Sequence, residues 1–546
     1  MGSWTLTALA AALALLALTV PSRLDQLTPG VLLRLPIEAL ALLGVAVVLP
    51  SRLARTRTTL AVTAGLVLGV GAVLRLLDVG LFEVLNRPFD LLIDWRYAGA
   101  LVETTHDSVG VGTGNVLLLG AALVAFALVV LLPLAVLRVV RVADRHRRPV
   151  SRVVVVLVCL WLALAVLDVR AGPRPMASAD AARYLADQVD RLSGELDEMR
   201  RFDRDVARDP LERVDPREAL AGLRGKDVLV VFVESFGRVA VEGASFSPRI
   251  NRVLDSGTRR LADAGFESRS AFMTSPTFGA LSWLAHATLQ SGLWVDRQPL
   301  YDRLVETRRL TLTRLFGRAG WRTVLDVPAN TRGWPEGRFY GADQLYDSRN
   351  VGYEGPRFGY PPMPDQYTLD AFHRLELARE DRPPVMAEID LITSHAPWSR
   401  TPRMVDQAEV GDGSIFDGMP ETLPSEGDIW PSPTRVRAAY ATSVEYSLEA
   451  FITFMTTYGD DDLVVVLVGD HQPATIVSGR DAGRDVPVSF IARDSAVLDR
   501  IEHWGWRQGL RPPSDAPVWP MHAFRDRFVA AFDRSEQTGS VALSIR

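Results

Sequence analysis

The sequence predicts a five-helix transmembrane N-terminal domain followed by an extracellular α/β domain with a mostly parallel central sheet. Three observations predict it. Five long apolar runs crowd the first third of the chain. A stretch dense in Arg, Asp and Glu follows, with apolar residues at helical spacing. Beyond it, short runs of Val, Leu and Ile alternate with amphipathic helical segments, the pattern of strands buried on both faces between covering helices.

The composition agrees. Of 546 residues, 48% are hydrophobic, and the mean hydropathy of +0.10 is high for a purely soluble enzyme. The net charge of −5 offers no basic field for DNA or RNA. A single cysteine, Cys159, rules out a disulfide framework and a Cys-based metal site within one chain. Lys226 is the only lysine among many arginines, a composition typical of a GC-rich bacterial source.

The apolar runs cover 4–20, 31–50, 58–77, 116–137 and 149–167. Each approaches the ~20 residues needed to cross the hydrocarbon core. The second begins with Arg34, Pro36 and Glu38, and Arg34 and Glu38 stand four apart, so they can pair on one helix face. Arg52, Arg55 and Arg57 lie between runs two and three. Arg138, Arg141, Arg145, Arg147 and Arg148 lie between runs four and five. The positive-inside bias makes both loops cytoplasmic. The N-terminus is then inside and the C-terminal part outside. The loop 81–112, with Phe82, Phe89, Trp95 and Tyr97, falls outside and suits an interfacial position. Residues 1–171 form the membrane domain on this reading, 172–222 a helical linker, and 223–546 the external domain. Leu185, Val189, Leu192, Leu196 and Met199 carry the helical period through the linker.

Within the external domain, Asp227–Val233 and the run 462–468 are near-continuous apolar strands, and 384–391 and Arg322–Asp326 read as further ones. Helices are expected over Leu312–Ala319, 276–290 and 436–458. Active-site loops belong at the strand carboxyl ends. The first strand ends on Glu234, in VFVESFG. The second ends on Asp470 and His471, in VLVGDHQP. Carboxylates and an imidazole at the ends of two central strands can converge on one divalent cation. A Glu after a strand is commonly only a cap or surface group. An Asp–His pair after a buried strand is more specific. Between these motifs lies TSPTFGALSWLAHATLQSG (274–292). Here Pro276 suits a first helical position, and Ser275 its N-cap. Thr274 would then stand just before a helix N-terminus, where phosphate is favoured. Ser275, Thr277 and Ser282 are competing hydroxyls in that segment. His286, inside the expected helix, reads as a packing residue.

These motifs resemble the alkaline phosphatase/sulfatase superfamily, and within it the lipoteichoic acid synthase branch, the membrane-anchored phosphoglycerol transferases. The resemblance implies that Glu234, Asp470 and His471 ligate one divalent ion, Mn2+ or Mg2+. It implies that Thr274 is the metal-touching nucleophile, and that His395, in ITSHAPW, faces the substrate phosphate. The donor would be a membrane phospholipid and the acceptor an envelope glycan or polymer, at a bacterial cell membrane. No cysteine occupies the nucleophile segment, which excludes the formylglycine route of the commonest sulfatases. The segment 326–347 falls where the branch reads glycerol phosphate with a His, a Trp and an Arg. Trp334 matches the Trp, but no His precedes it, and Glu336 stands where the Arg is expected. Asn330, Arg332 and Arg338 are the neighbouring candidates for phosphate. A sulfatase-like phosphodiesterase or phosphatase is the alternative. A non-catalytic lipid or metal sensor on the same fold is a third reading, against which the full set of site residues argues.

Overall fold

The computed structural model describes residues 2–90, 94–99, 102, 110–171 and 174–534. Parts of the loop 81–112, and the start of the expected linker at 172–173, lie outside them. The chain divides into two compact units. One comprises residues 1–82 and 87–199, the other residues 83–86 and 200–546.

The first unit holds five apolar helices: α1 (Gly2–Thr19), α2 (Ile37–Val48), α3 (Ala54–Leu85), α4 (Val111–Arg145) and α5 (Arg147–Val166). Among the described residues, three of them, α3, α4 and α5, are long and apolar enough to cross a membrane. The helices over the first two apolar runs are shorter, so five full spans are more than the structure provides. The run 31–50 fails as one span because Pro29–Leu33 forms a separate 3-10 turn and α2 starts only after Pro36. Arg34 therefore lies before the helix rather than on it. Its guanidinium pairs with Asp180, while Glu38 accepts from the backbone N–H of Ala182 at 2.9 Å. The expected Arg34–Glu38 pairing is not formed. Leu119, Leu123, Phe126, Val155 and Val156 present exposed apolar side chains, as lipid-facing positions do. Helix α6 (Asp180–Val206) lies where the linker helix is expected.

The second unit is a three-layer α/β domain. Its sheet has strands β1 (Asp227–Val233), β2 (Glu267–Thr274), β3 (Arg322–Asp326), β4 (Gln344–Tyr346), β5 (Val385–Leu391), β6 (Leu463–Gly469), β7 (Asp485–Ala492), β8 (Arg507–Gln508) and β9 (Val518–Pro520). The order is β8-β2-β7-β6-β1-β5-β3-β4, with β9 beside β2. Strands β6, β1, β5, β3 and β4 are mutually parallel. β7 runs antiparallel to both β6 and β2. The sheet is thus mixed, with β7 and β8 running against the other strands. The reason is local: the chain leaving β6 turns back at once through a loop, with no crossover helix long enough to return it in parallel. β2 still points the same way as β6, so the carboxyl ends of β1, β2, β5 and β6 share one edge.

Every residue of β1 and β6 is buried. One face packs on helices α7 (Ser247–Asp263), α10 (Asp365–Phe372) and α11 (Pro433–Tyr458), through Leu229, Val231, Ile250, Leu254, Phe372 and Phe451. The other packs on α8 (Ser282–Ser291), α9 (Leu312–Ala319) and α12 (Phe524–Phe532), through Val230, Phe232, Leu289, Phe316 and Phe528. At about 1.5–3 kcal/mol per fully buried large apolar side chain, this double-sided burial dominates the domain's stability. Leu229, fully buried in β1, is a direct gauge of it. Leu229→Ala is expected to destabilise the external domain by about 2–5 kcal/mol, read from denaturant unfolding of the domain expressed from residue 200.

Candidate active site

The site is assembled where β1 and β6 end. Gly469 closes β6 so tightly against the turn after β1 that a Cβ there would lie 2.0 Å from the carbonyl oxygen of Phe236. Only glycine allows that approach. Immediately past the two strands, Glu234, Asp470 and His471 bring their ligand atoms within 4.8 Å of one another. His471 Nε2 lies 3.3 Å from Glu234 Oε1 and 3.5 Å from Asp470 Oδ2. The turn at Ser235 is left-handed, with φ +56°. That bend aims its N–H at Asp470 Oδ1, at 2.7 Å, and the N–H of His471 reaches the same oxygen at 2.6 Å. Ser235 Oγ donates to Glu234 Oε1 at 2.8 Å. His471 Nδ1 faces the Gln472 carbonyl at 2.9 Å, which assigns the proton to Nδ1 and leaves Nε2 as the ligand nitrogen.

The hydroxyl that joins this cluster is that of Ser282. Its Oγ donates to Glu234 Oε2 at 2.9 Å and lies 3.3 Å from His471 Nε2. Thr274 is placed elsewhere: its Oγ1 donates to Asp485 Oδ1 at 2.8 Å, across the β2–β7 pair. The expected helix over 276–290 begins only at Ser282, because Ser275–Leu281 is tied down as a loop. Ser275 Oγ donates to the Asp470 carbonyl and Thr277 Oγ1 to the Ala280 carbonyl, both at 2.5 Å. Gly279 N–H donates to the Gln472 carbonyl at 2.8 Å. Ser275 is therefore not an N-cap, and both of these competing hydroxyls are occupied by backbone carbonyls. Leu281 then takes a left-handed turn, φ +70°, into α8. For a leucine that conformation costs about 1–2 kcal/mol. It sets Ser282 at the first helical position, at the positive end of the α8 dipole. Sequence reasoning weighed Ser282 without choosing it. The available signal was the four-residue spacing of Ser282, His286 and Gln290, a polar stripe on an otherwise apolar helix.

His395 stands in the loop after β5. Its ring stacks on Tyr360, centroids 3.7 Å apart, and its Nδ1 faces the Ala396 carbonyl at 2.5 Å. Three of the expected substrate residues are held in part by backbone or ring contacts with neighbouring residues. The Asn330 carbonyl accepts from Ser348 Oγ at 2.7 Å, Trp334 packs 5.4 Å from Tyr340, and the Arg338 carbonyl accepts from Arg314 at 2.8 Å. Arg332 is exposed.

A second group of ligand-type side chains lies one helical turn along α8. His286 Nδ1 is 3.0 Å from Glu388 Oε1 and 3.4 Å from Asp390 Oδ1. Gln290 donates to Glu388 Oε2 at 2.6 Å. The sequence showed His286 only as a packing residue.

Burial shapes the charges. Desolvation alone would raise Glu234, but the imidazoles of His395 and His471 outweigh it and hold the carboxyl well below its ordinary range. Burial, and then the Glu234 carboxylate, push Asp470 up to about 7. Burial lowers His471, but Asp470 and Glu234 more than reverse this and raise it to about 9. Two carboxylates and a neutral-capable imidazole, all buried and crowded, form a donor set that suits one hard divalent cation. The fit rests on that chemistry and on the shared burial.

No family model matches the chain, and no curated protein matches it. Among solved structures it is similar to the lipoteichoic acid synthase LtaP from Listeria monocytogenes, at 16% identity over 56% of this chain and 72% of that one, with a TM-score of 0.36. It is similar to the Streptococcus pyogenes phosphoglycerol transferase GacH in complex with sn-glycerol-1-phosphate, at 12% identity over 62% and 90%, TM-score 0.34. It is also similar to the soluble domain of lipooligosaccharide phosphoethanolamine transferase A from Neisseria meningitidis, at 14% identity over 57% and 90%, TM-score 0.36. Others are an alkaline phosphatase superfamily protein and a 2-O GAG sulfatase, the kinds of protein that the motifs resemble. At TM-scores below 0.5, nothing about function is carried over from them.

Two outcomes are expected. Asp470→Asn should weaken manganese binding by at least about 100-fold, measured by calorimetry on the metal-stripped protein. The metal-free external domain should melt at progressively lower temperature as pH rises from about 5.5 to about 9.5. Asp470 and His471 both have folded values above their unfolded ones, so their contribution is present at low pH. It is lost as pH passes about 7 for the acid and about 9 for the imidazole. Saturating manganese should flatten that slope in a differential scanning series.

Proposed function

We propose that this chain is a membrane-anchored, metal-dependent phosphotransferase with Ser282 as its nucleophile. It moves a phosphoglycerol-type group from an anionic phospholipid to an extracellular hydroxyl acceptor. The observation that carries the reading is the cluster of half-buried Ser282 with buried Glu234, Asp470 and His471. The VFVESFG and GDH motifs support it, and α3, α4 and α5 support the anchoring.

Glu234, Asp470 and His471 would hold the ion, with Ser282 Oγ beside it. When bound, a divalent ion of the manganese or magnesium kind supplies the positive charge that makes an aliphatic hydroxyl a competent nucleophile. The Ser282 hydrogen bond to Glu234 orients Oγ, and the α8 N-terminus favours the anionic phosphate next to it. Ser282 Oγ forms a bond to phosphorus as the bond to the diacylglycerol oxygen breaks. The Ser282 proton passes to solvent, and His395 protonates the leaving oxygen. In the second half, His395 takes the proton of the acceptor hydroxyl as that oxygen displaces Ser282, and Ser282 Oγ takes back a proton from solvent. With water as acceptor the same site is a phosphodiesterase. The absence of the branch's His and Arg around Trp334 favours keeping that second reading.

Turnover of labelled phosphatidylglycerol and of bis(p-nitrophenyl) phosphate, with manganese, tests the proposal. Ser282→Ala should lose at least about 1000-fold in kcat with an unchanged melting temperature, while Thr274→Ala should lose less than about tenfold. The reverse pattern would return the nucleophile to Thr274. Release of free phosphoglycerol with no transfer to an added glycolipid would select the hydrolase.

A further inference from the structure

Helix α8 enters the site under strain. It starts from a left-handed Leu281 and has no side-chain N-cap hydrogen bond. At its N-terminus the Ser282 hydroxyl is held by its own hydrogen bond to Glu234. The helix behind it is held by its inner face. Ser282, His286 and Gln290 stand four residues apart and lie along one side of the helix. His286 is gripped on three sides. Its ring stacks on Phe232 of β1 at 3.9 Å, nearly parallel, and Nδ1 reaches both Glu388 and Asp390 of β5. Gln290 extends the grip one turn further, donating to Glu388 and accepting from the N–H and hydroxyl of Thr313 at 3.0 and 3.1 Å. Both strands lead into the site: Glu234 follows Phe232 by two residues, and the His395 loop follows Asp390. His286 thus ties the helix bearing the hydroxyl to the strands bearing its partners, one turn away from the reacting atom.

We propose that His286 is a positioning residue for the reaction. Its contacts with Phe232, Glu388 and Asp390 hold α8 in the placement that puts Ser282 Oγ against Glu234 and His471. The inference rests on the reading of Ser282 as nucleophile. A charged contact in a buried seam is directional, whereas apolar packing alone lets a helix slide or roll. Displacement of a nucleophile by about 1 Å costs on the order of 100-fold in rate, while the ligands on the strand ends are untouched. The signature is therefore a fall in kcat with metal affinity retained.

The experiment compares His286→Phe with His286→Asn in the full-length, manganese-loaded protein, with bis(p-nitrophenyl) phosphate as the probe. Phe keeps the stack on Phe232 and loses the donor. Asn keeps a donor where Nδ1 stood. His286→Phe should lower kcat by about 10–100-fold, with KM and manganese affinity changed less than about threefold. His286→Asn should recover most of that loss. Glu388→Gln, which preserves shape and removes the charge, should lower kcat in the same direction and serves if the Phe variant does not fold. Equal kcat in the Phe and Asn variants, or unchanged kcat in folded Glu388→Gln, would overturn the proposal. Ser282→Ala in parallel separates the two readings: full activity there defeats the nucleophile assignment, whereas an inactive Ser282→Ala beside a fully active His286→Phe defeats the positioning role alone.

Discussion

Two carboxylates buried side by side repel each other, and the external domain is organised around that conflict. Glu234 and Asp470 emerge from adjacent parallel strands whose every residue is buried, so neither side chain can swing out to solvent. Ser235 N–H, His471 N–H and the two nearby imidazoles supply partial or full positive charge from fixed positions. The strain of a left-handed Ser235 and the close approach at Gly469 exist to keep those donors aimed. A divalent cation in the same place completes the neutralisation. The crowding that is a burden for the fold also gives the site a donor set suited to a divalent cation.

What could be read from the sequence divides along a physical line. β1 and β6 were legible because a strand buried on both faces must be a continuous apolar run. The residues that follow such strands were legible because a GDH has no packing reason to be there. The placement of Ser282 was not. It depends on which backbone carbonyls the Ser275 and Thr277 hydroxyls find, and those carbonyls belong partly to Asp470, almost two hundred residues away. Pro276 and Ser275 carry the local signature of a helix start, and tertiary hydrogen bonds overrode it. The Arg34–Glu38 pairing failed for a similar reason, since Pro36 separates the two residues and Asp180 offers a partner from far along the chain. The direction of β7 lay outside local pattern altogether, because antiparallel and parallel buried strands have the same composition.

The buried seam along α8 adds a second use of the same economy. Glu388 and Asp390 sit beneath the helix as the two carboxylates sit at the strand ends, and again a histidine reconciles them. In both places the fold accepts costly buried charge beside the residues of the candidate site, where position has to be held closely.

The reversal of β7 has a consequence for how such a domain diversifies. The segment 470–484 starts at the end of β6 and returns to the sheet at Asp485 on the same edge, directly beside Thr274. Gln472, near its start, is tied to the loop 275–281 by a bridge to Phe278 and a hydrogen bond from Gly279 N–H, whereas 479–483 is not part of any strand pairing. Residues can be added or removed there without shifting the register of a single strand. That stretch is thus uncoupled from the sheet. The loop can vary by grafting there, while the strand ends that carry Glu234, Asp470 and His471 remain as they are.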